Sequence, residues 1–329
     1  MRTPRFWQHR GLFSTLLLPF GALYGLGFFL DSVLTRKHRA PLPVISIGNI
    51  TAGGAGKTPT AIALAHLLQN LGETPHIVSR GYGGRIAHTH AVDPARDNAT
   101  DVGDEALLLV RAAPTWIARR RIDAIRAAQH HGATVILADD ALQHHSLAHD
   151  LSVLVIDLAY GFGNGRLLPA GPLRQSLSSA YGQAETIALL IGEDDPHHLV
   201  ATFDAPWRAT LTPTGPTEGL REGKWLAFAG IAHPQKFYAT LRQHGATLAR
   251  TRDFPDHHSF REEELLALQN QANDEGLRLI TTEKDAMRLP TAMRRVVAIL
   301  PVALAWADAA GVERYLAQWL ASHRVPSGT

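Results

Sequence analysis

The 329-residue chain contains no cysteine. That excludes disulfides, thiolate zinc sites and a cysteine nucleophile. Surplus charge is also scarce: 32 Lys and Arg stand against 30 Asp and Glu, a formal net charge of +2. So small an excess makes no case for a nucleic acid partner, and none is expected. An isoelectric point near 9.0 leaves a modest attraction to anionic surfaces. No internal repeat is visible, which sets solenoid architectures aside. Eighteen histidines are present, but the His-His pairs have no metal-like spacing. What remains is 45% hydrophobic and 19% charged, a globular composition with an apolar bias, in a chain long enough for two domains.

One long stretch lacks charge altogether. Residues 11–30, GLFSTLLLPFGALYGLGFFL, lie between Arg2, Arg5 and Arg10 on one side and Asp31, Arg36, Lys37, His38 and Arg39 on the other. No small-x-small cleavage site follows, so a removed signal peptide is not expected. Twenty apolar residues could just span a bilayer. Pro19, Gly21, Gly25 and Gly27 weaken that reading, and basic flanks at both ends leave orientation ambiguous. A helix packed against the rest of the protein is a third option. The expectation is an interfacial anchor, apolar residues in the bilayer and Arg/Lys at headgroup level.

The best-defined feature begins at Val44. An apolar run, Val44 to Ile47, reads as a buried strand, and Thr58 to Leu71 as a helix. Between them lies Gly48-Asn49-Ile50-Thr51-Ala52-Gly53-Gly54-Ala55-Gly56-Lys57-Thr58. Strand, glycine loop ending Gly-Lys-Thr, helix is the setting of a P-loop, whose backbone N–H groups and helix N-terminus cradle phosphate. Residues Thr51 to Thr58 are therefore the expected nucleotide site. Lys57 would reach the β- and γ-phosphates, and the Thr58 hydroxyl would bind Mg²⁺. Thr51 stands where the usual pattern has glycine. A second apolar strand, Thr134 to Ala138, ends in Asp139 and Asp140, the form of a Walker B segment, so both are expected metal ligands.

Other segments offer candidates with plainer alternatives. Gly103-Asp104-Glu105 opens a helix, where acidic residues also suit the dipole. Ser79-Arg80-Gly81-Tyr82-Gly83-Gly84 and the loop Gly161 to Arg174 are glycine-rich, and Arg80, Tyr82, Asn164 and Arg166 are expected to reach a nucleotide or substrate. The Pro-, Thr- and Gly-rich stretch 204–222 reads as a linker or hairpin. It divides a P-loop unit, 40–203, from a smaller α/β unit, 223–329, with 1–39 the membrane-associated segment.

Eight motifs occur in order: GNITAGGAGKTP, SRGYGG, GDEALLL, the aspartate pair with QHHSLAHDLSVLVID, FGNGRLLPAGPLR, AFAGIAHP, FPDHHSF and TEKDA. Together they resemble the tetraacyldisaccharide 4′-kinase family of lipid A biosynthesis over essentially the whole chain, and Thr51 matches that family's own loop. The resemblance implies an α/β fold with a P-loop core, a mainly parallel sheet, a smaller α/β domain and a membrane-associated N-terminal helix. It implies transfer of the ATP γ-phosphoryl, with Mg²⁺, to the 4′-hydroxyl of a lipid-linked glucosamine disaccharide 1-phosphate. It points to Asp104 of GDE paired with His257 of the Asp-His motif, with neighbouring His258 a less favoured choice. It also implies the cytoplasmic face of the bacterial inner membrane, and no obligatory protein partner is inferred. Two other functions remain open: a soluble small-molecule kinase, which residues 11–30 disfavour, and a nucleotide switch. A GTPase would show Asn-Lys-x-Asp, whereas Thr282-Glu283-Lys284-Asp285 has nothing between Lys and Asp. A partitioning ATPase would show a second lysine in 51–55, and none is there.

Overall fold

The computed structural model describes residues 4–181 and 184–323. Thirteen strands are described: β1 Val44–Gly48, β2 Pro75–Ser79, β3 His90–Ala91, β4 Thr115–Ile117, β5 Val135–Asp139, β6 Leu151–Asp157, β7 Glu185–Ile191, β8 Trp207–Pro213, β9 Lys224–Ala229, β10 Thr247–Asp253, β11 Arg278–Thr282, β12 Val297–Leu300 and β13 Val302–Trp306. They form a large sheet, ordered β13-β8-β7-β6-β1-β5-β2-β4-β3, and a small one, ordered β10-β9-β11-β12. In the large sheet β8 through β4 run parallel, and only the edge strands β3 and β13 are antiparallel. The small sheet is wholly parallel.

Continuous apolar runs mark strands covered on both faces. β1, β2, β5 and β6 are buried at every position. One face of β1 packs against the helix Lys57–Asn70 through Ile45, Ile47, Leu64 and Leu68. The other face carries Val44, against Ile122, Ile125 and Ile136. The central strand thus ends in the phosphate loop, beside β5, with Ile47 in register with Asp139. Ligand loops at the carboxyl ends of such strands follow from the parallel topology.

Two segments assort differently from the expected division. The 204–222 stretch contains β8, which pairs with β7 inside the large sheet. After β12 the chain turns at Pro301 and returns as β13, antiparallel to β8. The helix Ala309–His323 then buries Val312, Leu316, Trp319 and Leu320 in the large sheet's core. The smaller lobe is accordingly made by β9 to β12 and their helices. The sequence pattern marks neither β13 as a separate strand nor the sheet whose edge it completes.

The N-terminal apolar stretch is broken in two, as helices Leu12–Leu16 and Leu18–Leu34. Among the described residues no helix is long and apolar enough to cross a membrane. Gly21 and Gly25 let the longer helix approach the 162–174 loop closely: a Cβ on Gly25 would come 2.8 Å from Leu167. Its other face leaves Phe20, Leu23, Phe29 and Val33 exposed.

Candidate active site

The loop after β1 is ordered by its own side chains. Asn49 Nδ2 donates to Thr51 O at 2.8 Å and to Thr51 Oγ1 at 3.2 Å. Asn49 Oδ1 accepts from Lys57 Nζ at 3.0 Å. The hydroxyl of the threonine at the first loop position therefore adds a side-chain acceptor that glycine would lack. Gly53 and Gly56 take φ values of +127° and +91°, strained for any other residue. Ala52 N donates to Pro172 O, and Arg174 N to Ile50 O, so the 162–174 loop is laced to the phosphate loop.

Lys57 begins its helix and lies 3.3 Å from Asp140 Oδ1. Asp140 has a left-handed backbone, φ 46°. Such a conformation costs a non-glycine residue about 1–3 kcal/mol and is retained where the surroundings enforce it. Here Arg121 does so, donating to the carbonyls of both Asp139 and Asp140. Burial alone would raise the Asp140 pKa, but Lys57 and Arg174 outweigh it and hold the carboxyl below its usual range. Asp139 goes the other way, raised by burial and then by Glu105 and Asp140. Its Oδ1 is buried without a hydrogen-bond partner. A crowded acidic corner with an orphaned carboxylate oxygen fits a divalent cation, and hard oxygen donors fit Mg²⁺. Among the described residues no three His, Asp or Glu side chains converge as a metal site by themselves.

The second half of the site spans the lobes. Asp104 opens the helix Asp104–Leu109 of the large lobe. His257 lies in the smaller lobe's loop after β10, with φ 56°. Its Nδ1 is 3.1 and 3.2 Å from the two Asp104 carboxylate oxygens. Burial would raise the Asp104 pKa, yet the His257 bond, Lys284 and Arg288 prevail and lower it. Arg288 Nε lies 3.1 Å from Asp104 Oδ2, and Lys284 Nζ 2.9 Å from Glu105 Oε1. The Tyr82 ring stands edge-on to His257 at 5.0 Å. Tyr82, Asp104, His257 and Arg288 line a cleft of about 510 Å³ together with Arg85 and Arg294. The smaller lobe also leans on the phosphate loop: a Cβ on Gly53 would lie 3.3 Å from His233 Nε2.

Not every expected residue joins this arrangement. Tyr82 lines the cleft, and Arg80 is exposed at the end of β2, its charge felt at Arg121 and His144. Asn164 and Arg166 are structural instead. Asn164 is buried, donates to Ala170 O and Phe6 O, and accepts from Arg166 N. Arg166 donates to Ser14 Oγ and Thr15 Oγ1 of the N-terminal helix. The arginine of that loop that reaches the acidic corner is Arg174, 3.7 Å from Asp140 Oδ2. His258 turns inward, bonded to Glu264 and stacked on Phe254. Sequence pattern alone does not single out Asn49, Arg121 or Arg288. The one signal for Arg174 is its place in the same loop as Arg166.

One family recurs among the proteins this chain resembles. A family model described as tetraacyldisaccharide-1-P 4′-kinase matches residues 13–321. A tetraacyldisaccharide 4′-kinase of Paramagnetospirillum magneticum is 45% identical over 310 residues, 93% of this chain and 95% of that one. Another, from Parvibaculum lavamentivorans, is 47% identical over 303 residues, 88% of this chain and 87% of that one. Among solved structures, LpxK from Aquifex aeolicus, described as an apo form in complex with ATP, superposes with a TM-score of 0.72. It is 24% identical and covers 95% of this chain and 100% of its own, a likeness of fold. With the family model spanning nearly the whole chain, the protein belongs to the tetraacyldisaccharide-1-P 4′-kinase family.

Proposed function

We propose that this protein transfers the γ-phosphoryl group of ATP to the 4′-hydroxyl of a tetraacylated glucosamine disaccharide 1-phosphate. The observation that carries the reading is a carboxylate–imidazole pair, Asp104–His257 at 3.1 Å, in an interlobe cleft, with neighbouring Glu105 near enough to the acidic corner to raise the Asp139 pKa. Phosphoryl transfer asks a protein chiefly for positioning and charge neutralisation. Thr51 to Gly56 offer backbone N–H groups, and Lys57 and Arg174 offer positive charge. Thr58, Asp139 and Asp140 would hold Mg²⁺. That ion, when bound, supplies neutralisation of charge on the transferring phosphoryl.

Proton removal falls to Asp104 and His257. The Asp104 side chain is only 3% exposed, against 22% for His257. Asp104 Oδ1 also accepts from Glu105 N, and Oδ2 faces Arg288. A carboxylate so enclosed orients the imidazole, and the imidazole meets the sugar hydroxyl. The apolar face of the helix Leu18–Leu34, with basic residues 36, 37 and 39 just beyond it, supports seating on an anionic membrane surface. The acyl chains would stay in the bilayer while the sugar enters the cleft, at the cytoplasmic face of the inner membrane.

The test is transfer of label from γ-labelled ATP, with Mg²⁺, to disaccharide 1-phosphate lipid in detergent micelles. Label should reach the lipid with wild type and fall at least about a hundredfold with Asp104→Ala. Steady phosphate release to water without lipid labelling would sink the kinase reading and favour a nucleotide switch. Undiminished transfer by the variant would return Asp104 to a helix-start residue.

A further inference from the structure

TEKDA is a motif of the sequence that the chemistry above leaves unused. Thr282 Oγ1 accepts from Asp285 N at 3.1 Å and opens a short helix at the end of β11. That turn aims Lys284 at the large lobe. Its Nζ lies 2.9 Å from Glu105 Oε1, 3.8 Å from Asp256 Oδ1 and 3.1 Å from His257 Nε2. Burial would lower the Lys284 pKa, but Glu105, Asp104 and Asp256 outweigh it, so the side chain stays an ammonium. An ammonium has three donors and no acceptor. Its contact with His257 is therefore a bond donated to a bare Nε2. The ring proton of the neutral imidazole must then sit on Nδ1, where Asp104 accepts it.

We propose that Lys284 is a positioning residue for the proton-accepting atom: it fixes His257 as the Nδ1–H tautomer and covers Nε2 until the acceptor hydroxyl takes its place. This rests on the reading of Asp104 and His257 as the proton-handling pair. The hydroxyl then donates to Nε2. Its O–H bond breaks as the new O–P bond forms, and the bond from the γ-phosphorus to the bridging oxygen breaks. The proton stays on Nε2, and the electrons of the broken O–P bond leave with ADP. Lys284 keeps its own proton throughout. An imidazolium beside an ammonium is repulsive, so the lysine must leave Nε2 as the proton arrives. Glu105 and Asp256 are already in place to hold it.

The experiment is ¹⁵N NMR of full-length enzyme labelled at histidine, in detergent micelles, with parallel kinetics. His257→Gln identifies the signal among the eighteen histidines. Wild type should show His257 protonated at Nδ1. Lys284→Met should give a mixed tautomer and lower kcat about tenfold to a hundredfold, part of what acid–base catalysis supplies. KM for the lipid should stay within about twofold. Lys284→Arg should restore the Nδ1–H tautomer and most of kcat. A merely structural lysine would change melting temperature and leave the tautomer fixed. Should Lys284→Met not fold, Lys284→Ala removes the ammonium with a smaller side chain, and it should also mix the tautomer. Protonation at Nε2 in wild type, or an unmixed tautomer in the variant that folds, overturns the proposal. Undiminished transfer by His257→Gln would overturn the underlying pair instead, a result the wild-type tautomer reads independently.

Discussion

The phosphate corner and the proton-handling pair are built in opposite ways. Asp139 ends β5 and Asp140 follows it, while Lys57 begins the helix after the loop that leaves β1, the neighbouring strand, with Ile47 in register with Asp139. The sheet's own hydrogen bonds hold the two strand ends side by side. Asp104 and His257 are 153 residues apart and belong to different lobes. Their spacing depends on how the lobes pack. Ala286 and Met287 from the smaller lobe join Val102 and Leu107 in one apolar cluster, and Arg111 meets Glu283 at 2.7 Å. The corner is a property of one sheet; the pair is a property of an interface. Both nonetheless use a residue in the left-handed region, Asp140 and His257, and in both that residue presents the functional group.

If the corner works independently of the interface, damage there should be greatest and should leave the lobes as they are. Lys57→Ala is expected to lower kcat about a thousandfold, since charge stabilisation of the transferring group is lost. KM for the lipid should hardly change, which steady-state kinetics in micelles would check. An equal loss in lipid affinity would mean that the corner and the cleft are not separable.

The N-terminal helix provides a third region against which to measure the other two. Phe20→Asp with Leu23→Asp replaces two exposed apolar side chains, each worth about 1.5–3 kcal/mol when buried. Co-sedimentation with anionic vesicles should fall at least about tenfold, while transfer to lipid dispersed in detergent changes little. Unaltered vesicle binding would remove this helix from the anchoring role.

The interface should show itself in the pH dependence of stability. Asp104 has its pKa lowered in the fold, so its ionised form stabilises the folded state. That contribution is complete above the ordinary carboxylate range and is lost as pH falls through the lowered value. Asp104→Asn should therefore melt below wild type at neutral pH, and the gap should close in acid. A gap that widened in acid would contradict the assignment. The smallest effect belongs to Arg111→Ala, which breaks a largely solvent-exposed interlobe ion pair. Such pairs contribute about 0–1 kcal/mol. Transfer should fall no more than about threefold; a larger loss would show that the pair's geometry hangs on single contacts.

Much of this was legible beforehand because local chemistry wrote it. A glycine loop between a buried strand and a helix has one common use, and a strand ending in two aspartates beside it has another. Motif order linked Asp104 with His257 without any geometry. Asn164 and Arg166 have protein partners that the pattern did not indicate, for a physical reason: a glycine-rich loop with polar side chains can face a ligand or clasp a neighbouring segment. Asn164 spends its amide on Phe6 and Ala170, and Arg166 its guanidinium on Ser14 and Thr15. β13 and its place in the large sheet were not legible, because edge pairing is decided by partners far along the chain.

By itself the sequence determined the parallel core, the phosphate loop and the identity of the acidic residues, since strand burial, glycine conformation and strand-end carboxylates are local consequences of residue type. Tertiary structure alone decided that Arg174 and not Arg166 meets Asp140, that His258 turns inward, and that Lys284 covers Nε2 of His257. Those are choices among chemically equivalent side chains. They depend on distances of a few ångströms across a lobe interface, which no run of residues encodes locally.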